Sequence, residues 1–252
     1  MEEIDDNMIY NILYNKYYEY PVQEINPSSI DLKDKKIILL CGSGCSRDDN
    51  IPTFEEMKKE NYYEIFSQNS YENDTIYFYE NLNQLMIKCR ELKKIKYNQN
   101  VFIVTTNIDG MFIGDQVFEI HGNIFEYKCH LCSTIYERNK IDGLPLCKMS
   151  IPLCNCCNHI LKPNIQLFGD VEFQYDENKY KQYESFKKEC NYDNTIIFEI
   201  GCGLLVPLLR HESHLLKKKG YDVYRINVKD FDEEIKGLKM SGKTFIQDFY
   251  HT

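Results

Sequence analysis

Short runs of mostly apolar residues recur along the chain, and they set the first expectation about its architecture. The clearest runs cover residues 37–41, 101–104 and 195–200. The first run ends in a glycine turn at 42–44, and the third ends in a second glycine turn at 201–203. Runs of this length without regular polar alternation are typical of parallel strands that are buried on both faces. They predict strands in the interior of a sheet.

Stretches with helical spacing separate these runs. The predicted helices are residues 1–20, where Ile4, Met8, Ile12 and Leu13 share a face, and residues 74–92, 175–189 and 204–218. Two further strands are predicted at 222–227 and 243–247. Thr53 and Glu56 have the spacing of a capping box for one more short helix. Because strands alternate with helices, the pattern predicts an α/β fold with a Rossmann-like doubly wound parallel sheet.

Composition narrows the class of protein. The chain has 252 residues, of which 43% are hydrophobic, and a formal net charge of −9. This charge argues against direct nucleic-acid binding, since neutralising phosphates requires a basic face. The apolar runs are too short to cross a bilayer, and the acidic residues 1–6 do not resemble a secretory leader. We therefore expect no membrane association and a cytoplasmic or nuclear location.

The cysteines point to a metal. The chain has eleven of them, and without a secretory leader they are expected to be reduced, buried or metal-bound rather than paired in disulfides. Two Cys-x-x-Cys pairs are present, Cys129 with Cys132 and Cys154 with Cys157. Four thiolates on two tight turns are the ligand set of one structural zinc ion, with no position open for substrate. We predict a zinc-ribbon module inserted at about residues 122–162, in which Cys147 and Cys156 rank lower as ligands.

Polar residues follow the predicted strands. The sequence Thr-Thr-Asn-Ile-Asp-Gly at 105–110 follows the second run, and His121 closes a further apolar run. Ligands of open parallel sheets bind beyond the carboxyl ends of the strands, so we expect these side chains in one crevice with Gly42 and Gly44. The glycines allow close approach of a phosphate, and the N-terminus of a following helix would direct amide groups at it. Each motif alone also fits a polar turn or a structural histidine.

Taken together and in order, these motifs resemble the sirtuin family of NAD-dependent protein deacylases. The resemblance covers about residue 30 to the end, after an N-terminal helical extension at 1–29. It implies Rossmann-like parts at 30–121 and 163–252 around the zinc module. The motifs that carry it are Gly42-Ser43-Gly44-Cys45-Ser46, Ile51-Pro52-Thr53-Phe54, Thr105 to Gly110, His121-Gly122, the two cysteine pairs, Lys162-Pro163-Asn164 and Phe168-Gly169-Asp170.

The resemblance implies an NAD-dependent lysine deacylase, acting on acetyl or longer acyl groups, that releases nicotinamide and O-acyl-ADP-ribose. His121 would be the general base on a ribose hydroxyl, a role suited to a group that titrates near neutral pH. Asn107 and Asp109 would hold the nicotinamide ribose and the carboxamide. An acylated peptide would add as a strand beside Phe168, Gly169 and Asp170. The residues implied to contact NAD are Gly42, Ser43, Gly44, Ser46, Phe54, Thr106, Asn107, Ile108, Asp109, His121, Gly201, Cys202, Gly203 and Asn227.

Departures from the family pattern support other hypotheses. Thr53-Phe54-Glu55 stands where the family usually has Asp-Phe-Arg, which puts an anion in place of a cation, and Thr106 replaces a glutamine. The segment from Glu199 to Arg210 is similar to a divergent branch associated with protein ADP-ribosylation, although that branch is expected to lack the histidine base. A protein mono-ADP-ribosyltransferase or NAD glycohydrolase is therefore the second hypothesis. A non-catalytic NAD or ADP-ribose-binding module is the third.

Overall fold

A computed structural model describes residues 30–53, 56, 61–136 and 151–249. The predicted N-terminal helix lies outside the described residues, as do Phe54, Glu55 and Cys147. The strands are β1 Lys36–Cys41, β2 Val101–Thr105, β3 Val117–Glu119, β4 Gly122–Lys128, β5 Ile135–Tyr136, β6 Lys162–Ile165, β7 Thr195–Ile200, β8 Asp222–Asn227 and β9 Lys236–Lys239. The α-helices are α1 Tyr62–Ile65, α2 Gln68–Asn73, α3 Thr75–Glu91, α4 Glu177–Lys188, α5 Leu208–Lys218 and α6 Gly242–Phe249.

The larger sheet confirms the predicted fold class. Six strands lie in the order β3, β2, β1, β7, β8, β9, and every neighbouring pair is parallel. All residues of β2 and β7 are buried, which explains why both strands read as continuous apolar runs. The chain winds outward from β1 to β3 on one side and from β7 to β9 on the other. The connections that follow β1 and β7 therefore lead to opposite edges of the sheet and leave a crevice at the carboxyl ends of the strands.

Helix α3 shows why the helical spacing was a reliable signal. Its N-cap is Asp74, whose side chain accepts a hydrogen bond from the Tyr77 amide. Its buried face consists of Phe78, Tyr79, Leu82, Leu85, Met86 and Cys89. This apolar stripe packs in the same hydrophobic core as β1 and β2. The capping box is also formed, because Thr53 Oγ1 accepts from the Glu56 amide at 3.3 Å and Glu56 Oε2 accepts from the Thr53 amide at 2.9 Å.

The prediction at the C-terminal end was wrong. Residues 243–247 belong to helix α6 rather than a strand, and the last strand is β9, which the apolar pattern did not indicate. Phe245 and Ile246 are adjacent yet both buried, which a helix allows and an alternating strand does not. Ser241 accepts a hydrogen bond from the Thr244 amide at 3.1 Å, so a helix-start signal was present. The helix predicted to start at 204 begins at Leu208, after Pro207.

The second sheet lies in the stretch predicted to hold the zinc module. It has three strands in the order β5, β4, β6, and both pairings are antiparallel. Ile124, Phe125 and Tyr127 of β4 belong to the same buried cluster as side chains of β1 and β2, so this sheet packs directly on the main domain. In the described part of the chain, no helix combines the length and apolar character needed to cross a membrane.

Candidate active site and metal centre

A cavity of about 740 Å³ opens at the carboxyl ends of the central strands. Such a volume is typical of small-molecule sites. Every residue that the sequence placed at the cofactor or substrate site lines this cavity, except Phe54, which lies outside the described residues. The predicted residues that line it are Gly42, Ser43, Gly44, Ser46, Thr106, Asn107, Ile108, Asp109, His121, Phe168, Gly169, Asp170, Gly201, Cys202, Gly203 and Asn227.

Two glycine turns meet at the switch point between β1 and β7. A Cβ atom on Gly44 would lie 2.7 Å from Gly201 Cα, and one on Gly42 would lie 2.7 Å from the Gly201 carbonyl oxygen. Gly201 itself has a φ of +60°, which L-residues rarely adopt. The two backbones are therefore in direct contact, and no side chain fits between them. This contact forms the floor of the cavity.

The amides of the first turn are largely used within the protein. The Gly42 amide donates to the Ile200 carbonyl at 2.9 Å, and the Gly44 amide donates to the Gly201 carbonyl at 2.9 Å. The amides of Cys45 and Ser46 donate to carbonyls of the same turn. The sequence predicted that a helix after this turn would offer its amides to an anion. The structure instead has single-turn 3₁₀ helices at Ser43–Cys45 and Arg47–Asp49. The turn is therefore not followed directly by the α-helix N-terminus that the sequence predicted.

The loop after β2 holds Asn107 rigidly. Thr105 Oγ1 donates to the Cys41 carbonyl at 2.8 Å and accepts from the Asn107 amide at 3.0 Å. The Asn107 side chain donates through Nδ2 to Ser46 Oγ at 3.4 Å. Its Oδ1 is buried, and among the described residues it has no hydrogen-bond partner. A buried carbonyl oxygen without a donor is costly, so this atom fits a ligand that brings a hydroxyl or amide group.

Asp109 is buried beside Asn107. Burial raises the pKa of its carboxyl, although hydrogen bonds from the Met111 amide and Ser46 and the charge of Lys94 oppose the rise. The bond from the Met111 amide to Oδ1 is 2.9 Å long. A carboxyl group held in this way accepts or donates hydrogen bonds to a ligand with little solvent competition.

His121 lies at the end of the two-residue loop between β3 and β4 and is held by Gln166. Its Nδ1 lies 2.7 Å from Gln166 Oε1. With this amide orientation the oxygen only accepts, so Nδ1 carries the proton and Nε2 keeps its lone pair. Burial lowers the pKa of His121, and the bond to Gln166 only partly offsets that effect. The imidazole is therefore neutral near pH 7 and suited to accept a proton.

Gln166 was missed by the sequence reasoning. It lies between the buried Ile165 and Leu167, directly after β6. Its backbone N–H donates to the backbone carbonyl of His121 at 2.9 Å. A single polar residue between two apolar ones was the available signal. Its partner lies 45 positions away in sequence, so only the fold could identify it.

The far end of the cavity is shaped by a buried charged network. The Cys202 carbonyl accepts from Asn227 Nδ2 at 3.1 Å and from Arg210 Nη1 at 3.3 Å, which joins the loop after β7 to the end of β8 and to α5. Below them, Arg225 donates to both carboxylate oxygens of Glu199, at 2.7 and 2.8 Å. Glu199 and Arg225 are fully buried and absent from the cavity lining. Their role is to hold β7 and β8 together, and the network is satisfied without a ligand.

The predicted peptide segment forms another wall. Phe168 donates its amide to the Phe66 carbonyl at 3.1 Å and stacks on Tyr63. The Asp170 carboxylate accepts from Lys162 Nζ at 2.5 Å, and its other oxygen accepts from the Glu172 and Phe173 amides. Segment 168–170 is thus fixed at both ends.

The four predicted zinc ligands form one cluster. The sulfur atoms of Cys129, Cys132, Cys154 and Cys157 all lie within 4.8 Å of one another. The Sγ separations are 3.4 Å for Cys129 with Cys157, 3.5 Å for Cys132 with Cys154 and 4.0 Å for Cys132 with Cys157. A tetrahedral zinc with Zn–S bonds of about 2.3 Å requires separations of about 3.8 Å. The cluster fits a four-thiolate zinc ion.

Two equivalent turns create this cluster. Ser133 and Asn158 have φ values of +59° and +56°, and their amides donate to the Cys129 and Cys154 carbonyls at 2.7 and 2.8 Å. Each turn brings its two cysteines together, and the antiparallel sheet brings the two turns together. Cys156 is exposed and is not a member of the cluster.

Comparison with known proteins agrees with this geometry. The model of the Sir2 family matches residues 42–204. An NAD-dependent protein deacetylase of Bacillus thuringiensis subsp. konkukian is 28% identical over an alignment of 174 residues, and the match covers 61% of this chain and 68% of that protein. An NAD-dependent protein deacylase of Pyrococcus furiosus is 24% identical over an alignment of 221 residues, and the match covers 80% of this chain and 85% of that protein.

Solved structures share the fold. A structure of Sir2Tm bound to a propionylated peptide superposes with a TM-score of 0.65 at 20% identity, covering 87% of this chain and 93% of that chain. A structure of Sir2 with a p53 peptide and NAD⁺ gives a TM-score of 0.63 at 18% identity and covers 99% of this chain and 98% of that chain.

Proposed function

This chain belongs to the Sir2 family, and on that premise we propose that it is an NAD-dependent protein lysine deacylase. The observation that carries the proposal is the neutral His121 imidazole, fixed by Gln166, on the wall of a cavity that also contains the unpartnered Asn107 Oδ1. A base, a buried acceptor and a peptide-binding edge share this one cavity. The named activities of the Bacillus and Pyrococcus relatives support the same reaction.

NAD fits this cavity on three grounds. The cavity lies at the switch point of a Rossmann-like sheet, its floor is a contact between glycine backbones, and Asn107 offers a buried oxygen that needs a donor. When bound, NAD supplies the ADP-ribosyl group that accepts the acyl chain, and nicotinamide is the leaving group. Asn107 and Asp109 orient the ribose and carboxamide end. Cys202 and Asn227 line the opposite end, where the adenosine would lie.

His121 is the general base in this proposal. Its Nε2 accepts a proton from a ribose hydroxyl, and the Gln166 oxygen stabilises the imidazolium that forms because it remains hydrogen-bonded to Nδ1. Burial keeps the ring neutral before that step. Acid–base catalysis of this type contributes about 10² to 10⁴ in rate.

The remaining parts position the substrate. Segment 168–170 offers an edge for an acylated peptide, held in place by Lys162 through Asp170. Zinc, bound by Cys129, Cys132, Cys154 and Cys157, stabilises the small sheet that carries β6, which leads directly into Gln166. With four thiolate ligands, the metal has no open position for substrate and its role is structural.

The hypothesis of ADP-ribosyl transfer is not favoured by the segment that suggested it. Glu199 is fully buried and bound to Arg225, so it does not reach the cavity. Arg210 is also buried and donates to the Cys202 and Asp230 carbonyls. Both residues hold loops, and neither is placed to select an acceptor.

The test is nicotinamide release from NAD by the zinc-loaded protein, with and without an acetylated or long-chain acylated lysine peptide. We expect release that requires the peptide, yields free lysine and falls at least about 100-fold in His121→Ala. Peptide-independent release with ADP-ribose attached to protein would replace deacylation with ADP-ribosyl transfer. NAD binding without turnover of any acyl peptide would favour the binding module.

A further inference from the structure

The glycine turn after β1 has few free backbone amides to offer the diphosphate of the proposed NAD. In many dinucleotide sites, backbone amides of such a turn and the following helix bind the diphosphate. Here the amides of Gly42, Gly44, Cys45 and Ser46 donate to protein carbonyls at 2.9 to 3.3 Å. The diphosphate carries two negative charges, and of the backbone amides at 42–46 only that of Ser43 has no acceptor within the described residues. A side-chain cation near the turn would balance that charge.

The charges that line the cavity identify the candidate. Among the described residues, the acidic side chains that line the cavity are Asp48, Glu56, Asp109, Asp170 and Asp230, and the lysine and arginine side chains are Arg47 and Lys229. Lys229 lies after β8, beyond Asn227, on the side of the predicted adenosine end. Arg47 follows Ser46 directly and begins the 3₁₀ helix that continues the glycine turn. Of these two cations, Arg47 is the closer to the turn in sequence, because only Cys45 and Ser46 separate it from Gly44.

Arg47 is held by an anchor that was visible in the sequence. Its Nε and Nη2 lie 3.1 and 3.0 Å from Glu56 Oε1. The other carboxylate oxygen of Glu56 accepts from the amide and the hydroxyl of Thr53, each at 2.9 Å. Thr53 thus holds the Glu56 carboxylate in place, and that carboxylate in turn holds the Arg47 guanidinium. Burial would raise the pKa of Glu56, but these bonds and the Arg47 charge lower it overall, so the pair is ionised at neutral pH.

The geometry leaves Arg47 able to bind a second anion. A guanidinium has five N–H groups in a planar fork, and the contact with a single Glu56 oxygen engages one edge. The side chain is 50% exposed at the cavity wall. Two anions on different edges of one guanidinium are compatible, and arginine forms bidentate pairs with phosphate.

We propose that Arg47 binds the diphosphate of the dinucleotide and that Glu56 and Thr53 position it for that contact. The inference rests on the proposed NAD-dependent function, and it adds a residue that the family motifs do not assign. In this proposal, the Thr53–Glu56 box holds Arg47 in place for ligand binding.

Isothermal titration with ADP-ribose and with adenosine tests the proposal, because only the first ligand contains a diphosphate. We expect Arg47→Ala to weaken ADP-ribose binding about tenfold or more and to leave adenosine binding unchanged. Arg47→Lys, which keeps the charge without the fork, should weaken it less. Glu56→Gln should weaken it partially, because the guanidinium loses its anchor. The matched control is Arg90→Ala, an exposed arginine near the end of α3 and outside the cavity lining.

The outcomes of these titrations separate the role of Arg47 from the proposed function. Equal affinity of Arg47→Ala and wild type for ADP-ribose would overturn the proposal while leaving the proposed function intact. Equal weakening of ADP-ribose and adenosine binding would also overturn it, because Arg47 would then act on the shape of the site rather than on the phosphates. If the wild type bound neither NAD nor ADP-ribose, both the inference and the proposed function would fail.

Discussion

Replacing Gly201 tests the contact on which the cavity floor depends. Gly201 has a φ of +60°, and a Cβ there would lie 2.6 Å from both Gly44 Cα and its carbonyl carbon and 2.8 Å from the Cys45 nitrogen. The left-handed conformation costs an L-residue about 1–2 kcal/mol. The overlap is with backbone, so it cannot be relieved by a rotamer change, and overpacking of this kind costs about 1–3 kcal/mol. Gly201→Ala should therefore lower the free energy of unfolding by about 2–5 kcal/mol.

Two other glycines of the same cavity separate these contributions. A Cβ on Gly203 meets no atom within 4 Å, and Gly203 does not have a positive φ, so Gly203→Ala should change stability by less than about 0.5 kcal/mol. Gly169 has a φ of +79° and also has open space, so Gly169→Ala should show only the conformational cost of about 1–2 kcal/mol.

Urea unfolding of the zinc-saturated proteins, extrapolated linearly to water, measures the three values. NAD binding measured by titration should fall most for Gly201→Ala, because the turn must move to accept the methyl group. A Gly201→Ala protein as stable as Gly203→Ala would refute the argument that direct backbone contact forms the floor.

Two further predictions concern the base and the metal. Since partial burial lowers the pKa of His121, kcat/KM should hold as pH falls through the ordinary histidine range near 6.5 and decline only below it. A decline of kcat/KM at or above that pH would contradict the assignment of His121 as a neutral base. Cys129→Ser and Cys157→Ser should lose the one equivalent of zinc, measured by elemental analysis, and unfold at lower urea, whereas the exposed Cys156→Ser should keep both metal and stability. Retention of zinc by Cys157→Ser would show that the ligand set is wrong.

The spacing of residues along the chain was sufficient to predict several features of the fold. β1, β2 and β7 are buried on both faces and therefore appear as apolar runs. Three local features were predictable in this way: the buried face of α3, the Thr53–Glu56 box and the two Cys-x-x-Cys turns. Each depends on residues at most a few turns apart, where the local backbone geometry determines which side chains come into contact. The same logic failed at 243–247, because two adjacent apolar residues fit a short helix as well as a short strand.

The sequence by itself thus determined the sheet type, the metal ligands and which residues lie at strand ends. Only the tertiary structure decided how they meet: His121 with Gln166, Arg47 with Glu56, and the Gly44 backbone against Gly201. These contacts depend on strand order and on the packing of the small sheet against the large one. The hydrogen bonds of the Gly42 and Gly44 amides also depend on the strand order, because their acceptors lie on β7 and on the loop after it. Spacing along the chain carries no record of such distant partners.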